Sequence, residues 1–112
     1  MKWEESLSRI LVGGFGPEVV KGMISKYLEL IPPDKCQEYI QSSHSLLEPI
    51  SESQWQLIRK AARAGGIRIS YTEVIGQLEK NRPDLLGIIS CTDGGVAWLR
   101  RQVEDAQKRL AS

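Results

Sequence analysis

The stretch SESQWQLIRKAARAGGIRISYTEVIGQLEKNRPDLLGII, residues 51–89, decides how this chain folds. Ser51-Glu52-Ser53-Gln54 reads as a helix start, because a Ser and a Gln three residues later can satisfy each other's free backbone N–H groups. Trp55, Leu57, Ile58, Ala61 and Ala62 then supply an apolar stripe at helical spacing. Gly65-Gly66 stops that helix, since glycine takes the left-handed conformation that a helix end needs. Ile67-Arg68-Ile69 alternates once, in the manner of a minimal strand. Ser70 stands where a cap belongs, and Tyr71, Val74, Ile75 and Leu78 form the face of a second helix. Asn81-Arg82-Pro83 breaks it, and residues 84–89 read as a third, short helix.

Upstream, Cys36, Tyr39, Ile40, Ser43 and Leu47 share one helical face with Leu46 beside it, and Pro49 closes that helix. Before it, Pro17 suits a first helical turn. Val20, Met23, Ile24, Tyr27, Leu28 and Ile31 make the clearest apolar face in the chain, ended by Pro32-Pro33. Trp3, Leu7, Ile10 and Leu11 mark a first helix that stops at Gly13-Gly14-Phe15-Gly16. Downstream, Thr92 or Asp93 can cap a last helix. Its Val96, Leu99, Val103, Ala106 and Leu110 follow steps of three and four, a seam too short to argue for a coiled coil. Asp93-Gly94 could instead turn a hairpin, making residues 87–91 and 96–101 the strands of a wing. The helix is preferred, because the seam runs on to Leu110 and strong helix formers fill the positions between. The expected fold is all-α: a compact bundle of about six or seven short helices, with a minimal strand near 67–69 as a variant. One domain spans 1–112, and its best subdomain seam is near 48–51.

A chain of 112 residues that is 41% hydrophobic and 26% charged has enough apolar material for one core and little room for a large cleft beside it. Its net charge of +1 gives no overall attraction for nucleic acid. The excess is uneven, with −2 over residues 1–50 and +3 over residues 51–112, so an anionic partner belongs with the second half. Cys36 and Cys91 are too few for a disulfide framework. The start, Met1-Lys2-Trp3-Glu4-Glu5, lacks the apolar run of a signal peptide, and no stretch approaches the ~18–20 apolar residues of a membrane span. A cytoplasmic protein with no membrane partner is the expectation.

The residues offer little chemistry. Gly13, Gly14 and Gly16 precede a helix start, where backbone N–H groups can hold phosphate. Val19 stands where a dinucleotide fingerprint needs its third glycine, so a helix–helix turn is the better reading. His44 is the only histidine, and Cys36 lies eight residues away, about 12 Å along a helix and too far to share a zinc ion. His44-Ser45-Leu46 resembles the start of the histidine-phosphotransfer motif His-x-Leu-Lys-Gly. Leu47 and Glu48 replace its Lys and Gly, which removes the cation that would favour a phosphorylated histidine. Glu4-Glu5 and Glu104-Asp105 are adjacent pairs whose side chains diverge on a helix, so neither is an acid/base couple. No catalytic, cofactor-binding or metal residues are assigned.

Two functional classes remain. The preferred one is a non-catalytic protein-interaction module, self-associating as a homodimer through the C-terminal helix, with Val96, Trp98, Leu99, Val103 and Leu110 as its interface. Trp98, off the seam, is the best single anchor, because an exposed tryptophan binds partners well. The alternative starts from the order helix, short extended piece, helix, turn, helix in residues 51–89. That is how a winged-helix or helix-turn-helix DNA-binding core begins. Arg59, Lys60, Arg63, Arg68 and Arg82 would then contact the phosphates and bases. The apolar character of 84–89, the supposed recognition helix, and the near-zero net charge favour the first class.

Overall fold

The computed structural model describes residues 22–48, 50–66 and 68–111. They form six helices: α1 (Met23–Leu30), α2 (Pro33–Ser42), α3 (Glu52–Gly65), α4 (Tyr71–Asn81), α5 (Pro83–Cys91) and α6 (Gly95–Ala111). The expected helix at Trp3–Leu11, the glycine turn at 13–16 and the helix start at Pro17 lie outside these residues.

Most boundaries follow from local chemistry. Ser51 accepts a bond from the Gln54 N–H at 3.3 Å while the Gln54 side chain accepts from the Ser51 N–H at 2.9 Å, so the expected capping box starts α3. Gly66, at φ +61°, ends that helix in the left-handed region. Pro32 and Pro33 separate α1 from α2, with Pro33 placed where its missing N–H costs nothing. Arg82 alone joins α4 to α5, because Pro83 cannot continue the first helix but can start the second.

One boundary differs from expectation. The helix over Cys36 and Ile40 stops at Ser42, well short of Pro49. Ser43 takes φ +55°; its N–H donates to the Ile40 carbonyl at 3.3 Å and the His44 N–H to the Tyr39 carbonyl at 2.9 Å, the paired bonds of a Schellman ending. The Tyr39 and His44 rings then pack 4.2 Å apart, the contact that usually accompanies this motif. The minimal strand allowed near 67–69 does not form at the described residues 68 and 69. Ile69 instead donates its N–H to the side chain of Gln107 at 2.8 Å. The preferred helix, not the alternative hairpin wing over 87–101, forms there, with α5 and α6 joined by the Thr92-Asp93-Gly94 turn. There Gly94, at φ +79°, reverses the chain, and Gly95 packs so closely that a Cβ would lie 2.0 Å from the Ile89 carbonyl oxygen.

α5 and α6 sit at the centre. α5 lies against α2, α4 and α6; α6 also packs on α3, and α1 packs on α4. One cluster of buried side chains runs from Ile24, Leu28 and Ile40 through Trp55 and Ile58 to Leu85, Leu99 and Ala106, so the core is continuous across residues 48–51. Each Leu or Ile fully buried there stabilises the fold by roughly 1.5–3 kcal/mol. None of the described helices is long and apolar enough to cross a membrane.

Candidate functional site

The proposed interface seam is filled from within the chain. Leu99 is completely buried, Trp98, Val103 and Leu110 nearly so, and only Val96 is exposed, at 41%. Trp98 is held rather than presented: its indole N–H donates to the His44 carbonyl at 2.9 Å. One turn on, Gln102 is also buried. It accepts the Leu46 N–H at 2.9 Å and donates to the Trp98 carbonyl at 3.2 Å. Trp98, Gln102 and Gln107 thus supply α6 with polar groups for the loops crossing it, residues 44–46 and Ile69. A loop carbonyl or N–H left unpaired in such a place costs about 1–3 kcal/mol, which explains polar side chains facing the core. A two-fold pairing through this seam would first require α6 to leave its own chain.

The basic residues divide into two groups. Arg59 and Arg82 are engaged inside the fold. Arg59 pairs with Glu52 at 2.9 Å and donates from Nε to the Arg109 carbonyl at 2.7 Å, tying α3 to α6. Arg82 grips Asp84 with two bonds of 3.0 Å and reaches back to the Glu29 carbonyl at the end of α1 at 2.6 Å. Its guanidinium holds the Asp84 carboxyl below the usual carboxylate range. Lys60, Arg63 and Arg68 are exposed on α3 and just beyond it. The structure therefore does not bring the five together as one free cationic surface. The supposed recognition helix, α5, buries Leu85 and Ile89 and presents Pro83, Asp84, Gly87, Ser90 and Cys91 to solvent. That face carries no amide or cation to read a base edge.

The remaining reactive groups are dispersed. His44 lies in the loop after α2, not on a helix, with Nε2 2.9 Å from the Glu48 carboxylate. The Cys36 thiol is sealed in the core, where burial pushes its pKa up to about 11 despite nearby Arg82. Cys91 is exposed at the end of α5. No cluster of three or more His, Cys, Asp or Glu side chains suited to a metal occurs among the described residues. A groove of about 630 Å³ runs between α1 and α4, with Ser25, Lys26 and Glu29 on one wall and Glu73, Gln77 and Asn81 on the other. Asn81 donates to Glu29 at 2.7 Å across it.

The apolar surface missed by the sequence reading is on α3. Leu57 fits the helical stripe but is 50% exposed, the largest exposure among the described large apolar side chains. Ile58, its fully buried neighbour, recurs with Trp55 and Ala62 at i, i+3 and i+7, whereas Leu57 points about 100° away from Ile58, at the edge of the stripe, where the packing of α3 decides what is covered. The architecture is that of a small all-α bundle with its polar latches inside. No known protein family, curated protein or solved structure matches the chain.

Proposed function

We propose that this chain is a non-catalytic protein-interaction module that docks a partner, a second copy of itself in the first instance, through the outward face of α3. The observation that carries this reading is Leu57. A single exposed leucine is ordinary on a protein surface, so its setting matters. α3 packs on α6 through Trp55, Ile58 and Ala62, and Leu57 stands on the other side beside Gln56 and Lys60, both exposed. The chemistry of the reactive groups supports the non-catalytic part. The Cys36 thiol is both inaccessible and hard to ionise.

A helix-turn-helix DNA-binding role is the second reading, favoured by the exposed Lys60, Arg63 and Arg68. The use of Arg59 and Arg82 inside the fold, and the central position of α5, weigh against it.

Sedimentation velocity from low to high micromolar concentration separates the readings. Self-docking through α3 predicts a sedimentation coefficient that rises with concentration and stays at the monomer value in Leu57→Asp. A wild-type monomer at high micromolar concentration sinks self-association. A gel shift on random duplex at low salt, lost when Lys60, Arg63 and Arg68 are changed together to Ala, moves the assignment to nucleic acid.

A further inference from the structure

We draw no further inference here: the strongest candidate, the groove between α1 and α4, sets Lys26 against Glu29 and Glu73 so that its charge selects no class of ligand, and nothing in the structure shows what covers it.

Discussion

Gln102 in α6 and Leu57 in α3 depart from the hydrophobic pattern in opposite directions, one polar and 2% exposed, the other apolar and 50% exposed. The two departures have different physical standing. Gln102 is explained inside the molecule, because its amide pairs with the Leu46 N–H and the Trp98 carbonyl. A buried polar group with its bonds made adds specificity to the packing at little net cost. Leu57 has no such internal reason, since the buried side of α3 is completed by Trp55, Ile58 and Ala62. The contrast teaches that the departure in α6 is settled by bonds within the chain, whereas the one on α3 is left to solvent or a partner.

The contrast breaks most visibly at Leu99. Placing a carboxylate there with Leu99→Asp puts an unpaired charge at a fully buried position, and a loss on the order of 4–5 kcal/mol is expected, much of a small domain's stability. Circular dichroism should show the variant largely unfolded. A folded, helical Leu99→Asp protein would mean that the α6 seam faces outward after all.

A smaller effect is expected at the α5–α6 turn. Gly95→Ala drives a methyl group against the Ile89 carbonyl, which is backbone and cannot swing aside, so a loss of about 2–3 kcal/mol should appear in urea unfolding. Gly94→Ala, one residue earlier, has open space around its Cβ and should lose less, about 1 kcal/mol from the left-handed backbone alone. Equal losses at the two positions would argue against the close approach of α5 and α6.

Gln102→Met tests the latch itself. The side chain keeps its volume but leaves the Leu46 N–H without an acceptor, for a loss of about 1–3 kcal/mol. Amide exchange at Leu46, in the loop after α2, should accelerate more than exchange within α6. Unchanged protection at Leu46 would show that Gln102 does not hold the loop.

The smallest effect belongs to α3. Leu57→Ala should change stability by less than about 0.5 kcal/mol, as surface substitutions do. A loss of 2 kcal/mol or more would place Leu57 in the core and remove it as a docking residue.

How much of this was legible beforehand differs from residue to residue. The ends of α3 and the break at Arg82-Pro83 could be read directly, because a capping box, a Gly pair and a proline act on the backbone within a few residues. The end of α2 could not. Ser43 is an unfavourable left-handed residue by itself, and the loop it leads into is latched by Trp98 and Gln102, more than fifty residues away in sequence. For the candidate site, the exposed Lys60, Arg63 and Arg68 were legible as charges. The internal roles of Arg59 and Arg82 were not, since their partners Arg109 and Glu29 are distant in sequence.

The sequence by itself determined that the chain is helical, where most described helices start and stop, and which seam of α6 is apolar. These depend on periodicity and on residues acting over one turn. Only the tertiary structure decided that the seam is filled by the chain's own helices, that Trp98 is a latch rather than an anchor, and that Leu57 is left outside. An apolar stripe specifies that something must cover it, but what covers it depends on how several helices share one core.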